Sequence, residues 1–393
     1  MSLDINHFST GWNYPAQILT GAGRIRELPG ACQALGMKAP LLITDPGLAG
    51  LPMVSDIRAA CHEAGLAIDV FSEIKGNPTG KNVLDGVAAF REGGHDGVIA
   101  FGGGSGLDAA KAVALMAHQR EGLSLWSLED IGDNWKHADA AAIVPVVAVP
   151  TTAGTGSEVG RASVITDEVE HVKRIIFHPG MVPSTVILDP ELTVGLPPSI
   201  TASTGMDALS HCLEAWCSPN YHPMAEGIAV EGMRRICHYL PRAFLHGDDL
   251  EARMNMLVAS MMGATAFQRG LGAMHALAHP LGALYDAHHG TLNAILMPYV
   301  LRANECAIGE PMVRLGRYLD LRQPGTAAVI DWVLELRERL GIPHTLAALD
   351  IDTRQAEKVG QMAVVDPSSG SNPIAFDAQA YQRIFVNAVE GRL

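Results

Sequence analysis

The sequence predicts an α/β domain followed by an all-helical domain. Short apolar runs alternate with helical stretches in the first half, whereas strand-like runs are absent beyond Pro197. A chain of 393 residues is also too long for one compact core, so two domains are expected. The pairs Asp189-Pro190 and Pro197-Pro198 interrupt the pattern. We therefore expect domains at residues 1–197 and 198–393.

Seven short apolar runs in the first half are typical of buried strands. They cover residues 40–45, 67–71, 97–105, 143–150, 165–167, 173–177 and 185–188. Helical stretches at residues 53–64 and 83–92 separate the first three runs. This alternation predicts a doubly wound sheet with right-handed crossovers, and the last short strands are expected to close this half.

Two of these strands end in loops rich in glycine and hydroxyl side chains. The first is Gly102, Gly103, Gly104 and Ser105, which open the helix LDAAKAVALMA, and the second is TTAGTGSEV, with hydroxyls on Thr151, Thr152, Thr155 and Ser157. Glycine lets a ligand approach the backbone, and the amides at a helix N-terminus favour an anion. Two such loops in one sheet indicate a ligand site at the carboxyl ends of its strands, most naturally for a dinucleotide diphosphate. A tight turn without a ligand is the alternative for the first loop.

The second half is predicted to be helical almost throughout. The helical stretches are residues 201–217, 224–245, 250–265, 273–284, 293–307, 312–319, 326–340 and 353–363. Residues 366–377, with the sequence DPSSGSNPIAFD, form a loop to which the sequence assigns no role.

Histidines are concentrated in one segment of this helical half. Residues 272–293 contain His275, His279, His288 and His289. The first two are four residues apart and share a helix face, and so do Asp207 and His211 upstream. A single histidine on an apolar helix is more often a packed core residue than a ligand. Two such pairs together favour a site for a borderline divalent metal.

Composition and charge exclude several classes of partner. With 28 basic and 42 acidic residues the formal charge is −14, which argues against nucleic acid and anionic membranes. No run approaches the ~18 apolar residues that span a bilayer, and residues 1–12 lack the pattern of a signal peptide. The six cysteines are scattered without a CxxC pair, which is typical of a reducing compartment. We therefore expect a cytoplasmic protein.

Four stretches of the sequence resemble motifs of the iron-containing (group III) alcohol dehydrogenases, and the resemblance spans nearly the whole chain. They are GGGSGLDAAKA, PTTAGTGSEV, LPPSITASTGMDALSHCLEAW and GAMHALAHPLGALYDAHHGTLNAILMP. The resemblance implies an N-terminal dinucleotide-binding domain, a C-terminal metal-binding domain and an active site in the cleft between them. It also implies an enzyme that interconverts a small alcohol and its aldehyde or ketone by hydride transfer to or from NAD(H).

The resemblance also assigns candidate site residues. The family's metal ligands, one Asp and three His, fall on Asp207, His211, His275 and His289. Its cofactor positions fall on Asp45, Gly102, Gly103, Gly104, Ser105, Asp108, Thr151, Thr152, Ser157 and Lys173. His279 matches a histidine near the nicotinamide that members use in proton transfer or substrate positioning. The family spacing selects His289 rather than His288, which we expect to lie outward.

Asp45 and the ligand set lead to two further expectations. A carboxylate at a strand end can accept hydrogen bonds from the ribose 2′-hydroxyl and repel a 2′-phosphate, which predicts NAD(H) over NADP(H). The alternative is that Asp45 only begins the turn before Pro46. Four protein ligands would close a tetrahedral site, whereas a catalytic metal needs an open position. Five- or six-coordinate Fe²⁺ is therefore favoured, with Zn²⁺ as its competitor.

Other functions are compatible with some of these residues. The nearest are a glycerol-type polyol dehydrogenase with zinc and a cyclase like dehydroquinate synthase, which uses NAD without net redox change. A metallohydrolase would use the metal to activate water, but it would not need two glycine-rich loops. A binding protein that has lost catalysis would not need a complete ligand set. Because family members are commonly dimers or larger, the resemblance also implies a homodimer or larger homo-oligomer.

Overall fold

The structure, a computed structural model, describes residues 17–393. The expectation about a signal peptide falls on residues outside this range. The strands of the described part are β1 (Gln17–Thr20), β2 (Pro40–Ile43), β3 (Asp69–Phe71), β4 (Gly97–Gly102), β5 (Val146–Pro150), β6 (Ala162–Asp167), β7 (Val172–Phe177) and β8 (Thr185–Leu188). Six of them form one sheet in the order β1-β8-β5-β4-β2-β3, and every pairing in it is parallel.

Helices fall into two groups along the chain. Those of the first half are α1 (Leu28–Ala34), α2 (Pro46–Ala49), α3 (Pro52–Glu63), α4 (Gly80–Glu92) and α5 (Gly104–Met116). Those of the second half are α6 (Pro198–Cys217), α7 (Pro223–Leu245), α8 (Leu250–Ala266), α9 (Ala273–Tyr285), α10 (His289–Ala303), α11 (Glu305–Tyr318), α12 (Thr326–Arg339), α13 (Ala356–Val365) and α14 (Ala378–Glu390). Residues 198–393 are all described and contain no strand, so the prediction of an all-helical second half is confirmed.

Helices cover both faces of the parallel sheet, as a doubly wound domain requires. Successive side chains of a strand point to opposite faces. Leu41 and Ile43 of β2 join a buried cluster with α4 and α5, whereas Leu42 joins a cluster with α1 and α3. Strands β2, β5 and β8 are buried at every residue. The predicted α/β architecture is therefore confirmed.

The order of the strands reverses between β2 and β4. The chain passes from β2 outward to β3, then returns to place β4 on the other side of β2 and β5 beyond it. Open α/β sheets bind ligands in the crevice that such a reversal creates at the carboxyl ends of the strands. Asp45 comes shortly after β2 and Gly103 directly after β4, so both lie at this crevice.

Helix α6 is the centre of the helical half. It is buried along most of its length and packs against α7, α8 and α10. A helix enclosed on all sides carries its polar side chains into the interior, where they need partners. Asp207, His211 and Glu214 are three such side chains, all buried. No helix within residues 17–393 is long and apolar enough to cross a bilayer.

Several elements differ from the sequence-based prediction. Strand β1 is not predicted because it is partly exposed and is not a continuous apolar run, and helix α14 lies beyond the last stretch that was predicted to be helical. Helix α9 ends at Tyr285 as expected, with Asp286 in the left-handed region at φ 51°. Helix α10 begins at His289 rather than at residue 293. Strands β6 and β7 do not join the main sheet but pair as an antiparallel hairpin, and β6 alternates between buried and half-buried residues, which is typical of such strands.

Candidate metal centre and cofactor cleft

Three of the proposed metal ligands meet at one point of the helical half. Asp207 on α6, His275 on α9 and His289 at the start of α10 each offer one donor atom, and these atoms lie within 4.8 Å of one another. The Oδ1 atom of Asp207 is 3.7 Å from Nε2 of His289. One carboxylate and two imidazoles form a donor set that suits a borderline divalent cation.

A glycine allows the helices that carry these ligands to approach closely. Gly290 follows His289, and a Cβ atom placed on it would lie 2.3 Å from the backbone oxygen of Ser203 and 3.2 Å from Cβ of Asp207. Any larger residue would push α10 away from α6. The His-Gly pair in the sequence therefore places a ligand and removes the side chain that would obstruct it.

His211 lies beside this triad rather than within it. Its ring stacks on that of His275, with centroids 4.8 Å apart and an interplanar angle of 21°. Burial lowers the pKa of His211 to about 4, so the ring is neutral near pH 7. The sequence predicts that four ligands converge. Three of them do, whereas His211, one helical turn after Asp207, lies next to the ring of His275 and outside the triad.

Polar atoms without partners are concentrated at this point. Within residues 17–393, Nδ1 of His211, Nδ1 of His289 and Oδ1 of Asn293 are buried and have no hydrogen-bond partner. Such atoms are costly in a folded protein and usually mark a functional site. Burial, with help from the neighbouring His275 and Lys173, also lowers the pKa of His289 well below its ordinary value. A neutral imidazole can bind a cation through a ring nitrogen, and in His289 the nitrogen beside Asp207 is Nε2.

Asn293 is a member of the site that the sequence does not identify. Its Nδ2 atom donates to Oδ1 of Asp207 at 2.9 Å. The same atom lies 3.3 Å from Nε2 of His275 and 3.2 Å from Nε2 of His289. The amide thus contacts every donor of the triad. Its separation of four residues from His289 on α10 is the signal that could have indicated it.

Glu214 is a second residue that the sequence does not identify. Its Oε2 atom accepts from Nδ1 of His275 at 2.6 Å, and its Oε1 atom accepts from the backbone N–H of Met274 at 2.7 Å. Burial alone would lower the pKa of His275, but the Glu214 carboxylate outweighs burial and raises it. Because a carboxylate only accepts, it fixes the hydrogen of His275 on Nδ1 and leaves Nε2 free to bind a metal.

His279 extends the cluster by one turn of α9. Its ring stacks on that of His289, with centroids 5.5 Å apart and an interplanar angle of 11°. Its Nδ1 atom donates to Oδ2 of Asp366 at 2.8 Å. The ring of Phe267 meets that of His211 edge-on, with centroids 5.3 Å apart. His288 is exposed and is not one of the three converging donors, although Asp207 and Lys173 lie close enough to influence its pKa, which burial lowers.

The two glycine-rich loops lie side by side at the end of the sheet. Strands β4 and β5 pair in register up to Gly102 and Pro150, so the loops that follow them start together. A Cβ atom on Gly104 would lie 2.4 Å from Cγ2 of Thr155, which leaves no room for a side chain between the loops. Gly103 approaches Thr152 in the same way, at 3.3 Å.

Other hydroxyls and carboxylates of these loops bond within the protein. The Oγ atom of Ser157 donates to Oδ1 of Asp108 at 2.5 Å, and Val164 N–H donates to Oδ2 of Asp108 at 2.9 Å. Asp108 and Ser157 therefore connect the helix that follows the first loop with the second loop, and their contact with the cofactor stays a prediction. Ser105 likewise donates from Oγ to the backbone oxygen of Gly76. Thr151 is buried directly after β5.

Asp45 has one oxygen in a local bond and one beside the glycine loop. Its Oδ1 atom accepts from the backbone N–H of Leu48 at 3.0 Å and caps the short helix α2. Its Oδ2 atom is 3.7 Å from where a Cβ atom of Gly102 would lie. The two interpretations of Asp45 are therefore compatible, since the same side chain starts a turn and presents an oxygen to the crevice.

Lys173 connects the cofactor side with the metal side. Its ammonium donates to Oδ1 of Asn77 at 2.9 Å and would lie 3.1 Å from a Cβ atom on Gly282 of α9. Asn77 in turn donates to Oδ1 of Asp286 at 2.5 Å. Burial lowers the pKa of Lys173, and the carboxylates of Asp108, Asp207 and Asp286 oppose this shift. Lys173 therefore lies close enough to both Asp108 on the cofactor side and Asp207 on the metal side to be influenced by their charges.

Comparison with known proteins agrees with this geometry. The family model described as iron-containing alcohol dehydrogenase matches residues 15–190, and the model of the C-terminal part of the Fe-containing alcohol dehydrogenase family matches residues 201–389. A 4-hydroxybutyrate dehydrogenase of Cupriavidus necator is 40% identical over 382 residues, which cover 94% of this chain and 97% of the relative. An NAD-dependent methanol dehydrogenase of Bacillus methanolicus is 33% identical over 97% of this chain and 100% of its own length.

A solved structure shows the same likeness in three dimensions. The crystal structure of a 1,3-propanediol oxidoreductase superposes with a TM-score of 0.90 and 34% identity, over 97% of this chain and 100% of that one. Sequence, family models and fold agree over nearly the full length. The chain belongs to the iron-containing alcohol dehydrogenase family and is an oxidoreductase that interconverts an alcohol and its carbonyl counterpart with NAD(H) and a divalent metal.

Proposed function

We propose that the reaction takes place in the cleft between residues 1–197 and residues 198–393, with a small primary alcohol or its aldehyde as substrate. The observation that carries this proposal is the convergence of Asp207, His275 and His289 within 4.8 Å beside Lys173. We assign these three side chains, with His211, as the metal ligands. The glycine loops at residues 102–105 and 151–157 are assigned to the cofactor diphosphate.

The side chains of the site are assigned different roles in the reaction. A bound divalent cation would supply a Lewis acid that lowers the pKa of the substrate hydroxyl. Asp207 provides negative charge, and His211 and His289 provide neutral imidazoles because burial lowers their pKa. His279, whose Nδ1 atom is hydrogen-bonded to Asp366 and whose ring stacks on that of His289, is assigned to take the hydroxyl proton through Nε2. The buried surroundings of these groups keep water away from the reacting atoms.

A panel of substrates tests the proposed function directly. Short primary alcohols, 1,3-propanediol, 4-hydroxybutyrate and the matching aldehydes are assayed at 340 nm with NAD(H). The enzyme is first treated with a chelator and then given iron(II) or zinc. We expect turnover to vanish with the chelator and to return with one metal. Full turnover in a demonstrably metal-free sample would contradict the assignment, and so would hydrolysis without a change at 340 nm.

Iron(II) is the proposed native metal. Four protein ligands together with a substrate require at least five positions, which iron(II) accepts more readily than zinc. The intrinsic affinity of such ligands runs in favour of zinc, so the preparation has to be made without zinc contamination. Metal analysis of anaerobically purified protein, compared with activity after loading each metal, decides between them. Higher activity with zinc than with iron would reverse the assignment.

Asp45 is proposed to select NAD(H) over NADP(H). Replacing Asp45 with glycine removes the oxygen beside Gly102, so we expect the ratio of kcat/KM for NAD to that for NADP to fall about 10- to 100-fold, as for the loss of a hydrogen bond to a charged group. Asp45→Asn is the matched variant, because asparagine still caps α2 but carries no charge. A ratio that stays unchanged in both variants would show that Asp45 only forms the turn.

We further propose a cytoplasmic homodimer or larger homo-oligomer. All six cysteines are free thiols, which suits a reducing compartment. Strand β1 lies at the edge of the sheet, and within residues 17–393 no strand pairs with its outer side. An edge strand of this kind offers backbone groups to a second chain. Analytical ultracentrifugation tests the oligomeric state, and a monomer at micromolar concentration would contradict it. Cell fractionation tests the cytoplasmic location.

A further inference from the structure

Residues 366–373 form a strap that lies across the start of α9. Ser371 donates from Oγ to the backbone oxygen of Leu271 at 2.8 Å, and Ala273 N–H donates to Oδ1 of Asn372 at 3.1 Å. Asn372 also exchanges two hydrogen bonds with Asn304, the residue that caps the C-terminus of α10, at 2.9 and 3.0 Å. The strap is therefore fixed to the two helices that carry His275, His279 and His289. Neither the sequence motifs nor the proposed function gives this segment a role.

The strap places a single carboxylate against His279. The Oδ2 atom of Asp366 accepts from Nδ1 of His279 at 2.8 Å, while its Oδ1 atom accepts from the backbone N–H of Ser368 at 2.8 Å. Both side chains of the pair are nine-tenths buried. Burial alone would raise the pKa of Asp366, but His279 and the hydrogen bonds from His279 and Ser368 outweigh it and lower the pKa. Asp366 is therefore an ionised acceptor near neutral pH.

We propose that Asp366 is a positioning residue that fixes His279 in one tautomer, with its hydrogen on Nδ1 and its Nε2 lone pair directed at the substrate. The inference rests on the proposed role of His279 as the proton acceptor. In alcohol oxidation the O–H bond breaks, its electron pair stays on oxygen and its proton passes to Nε2. The ring then carries a hydrogen on each nitrogen and one positive charge, which the carboxylate of Asp366 neutralises.

The alternative role for Asp366 is structural, because it caps the short helical turn at residues 367–371. Asp366→Asn separates the two roles. Asparagine is an equally good cap for the N–H of Ser368. Its amide can also donate to Nδ1 of His279, which would move the ring hydrogen to Nε2 and block proton acceptance, as an amide does in a Ser-His-Asp triad. The variant therefore keeps the strap and changes the tautomer.

A double-mutant cycle with His279 is the decisive experiment. We expect Asp366→Asn to lower kcat by about 100-fold, the usual contribution of general base catalysis, with one metal per chain retained. In the His279→Ala background the same change should have no further effect, because the group through which Asp366 acts is gone. The control is Asp377→Asn, which alters an exposed cap of α14 that does not contact the cluster and should leave kcat unchanged.

Each outcome has a defined meaning. An equal loss from Asp366→Asn with and without His279 would overturn the inference, since a purely structural residue behaves in that way. A large loss in His279→Ala with no loss in Asp366→Asn would overturn the inference and leave the proposed role of His279 intact. If His279→Ala keeps full turnover, the proposed role of His279 and the inference both fail.

A spectroscopic measurement on the metal-free protein supports the kinetic cycle. Long-range nitrogen–hydrogen correlation spectra of protein labelled with ¹⁵N-histidine report which ring nitrogen carries the hydrogen. The His279 signals are assigned by their loss in His279→Ala. We expect hydrogen on Nδ1 in the wild type and on Nε2 in Asp366→Asn. The same tautomer in both proteins would overturn the inference even if turnover fell.

Discussion

Replacing His275 with alanine is expected to abolish both metal binding and turnover. The ring supplies the Nε2 atom at the centre of the triad, and it is the only member that a buried carboxylate fixes in place. A Lewis acid contributes several kcal/mol to the transition state, so losing it should lower kcat by at least about 1,000-fold. Metal content after dialysis and the rate at 340 nm are measured on the same sample.

His288→Ala is the matched control for this prediction. His288 lies next to a proposed ligand but is exposed and outside the triad, so metal content and rate should stay at the wild-type level. His275→Ala also leaves the buried Glu214 carboxylate without its main partner, and thermal unfolding has to show that the variant is folded. A folded His275→Ala protein that binds metal and turns over normally would refute the assignment of the centre.

The second large effect is expected for Glu214→Gln. The Oε1 atom of glutamine can still accept from the N–H of Met274, but its amide donates to Nδ1 of His275 and would move the ring hydrogen to the nitrogen that faces the metal. Loss of such an orienting carboxylate typically weakens metal affinity by about 10- to 100-fold. Competition with a chelator of known affinity measures the change without relying on activity.

Glu226→Gln is the control for removing a carboxylate from this domain. Glu226 pairs with Arg269 and Arg314 and is not one of the residues that contact the metal triad. We expect its metal affinity to match the wild type. If Glu214→Gln also binds metal with unchanged affinity, the proposal that Glu214 orients His275 is wrong. The carboxylate would then only fill space and accept the hydrogen bond from Met274 at the N-terminus of α9.

Residues that are three or four positions apart lie on the same face of a helix, so their spacing in the sequence indicated candidate ligands. Asp207 and His211, and His275 and His279, are visible in this way, and family resemblance then selected His289 over His288. Spacing cannot show how two helices are rotated against each other. In the structure the ring of His211 stacks on that of His275, and three donors rather than four lie within mutual reach.

The supporting residues could not be assigned from the sequence for a different reason. Glu214 acts on a histidine 61 positions away, and Asp366 on one 87 positions away, so no local pattern joins them. Glu214 does continue the face of Asp207 and His211 by a further turn, which is a signal that a closer inspection of α6 would use. Nothing comparable marks Asp366, whose surrounding residues are typical of a turn.

The fold was more predictable than the site. Buried parallel strands are continuous apolar runs, and β2, β5 and β8 could be recognised by composition alone. The β6–β7 hairpin was placed wrongly, since short strands do not reveal which sheet they join. The hairpin also contacts Asp108, because the N–H of Val164 in β6 donates to the carboxylate oxygen that Ser157 does not use.

The polar bridge from Lys173 through Asn77 to Asp286 has a consequence for the catalytic cycle. It joins strand β7 and the loop before α4 in the first half to the residue that follows α9 in the second half. A hydrogen bond to a charged group contributes about 1.5 to 3 kcal/mol net. Any relative movement of the two halves during the catalytic cycle must break these bonds, which can re-form without either half unfolding.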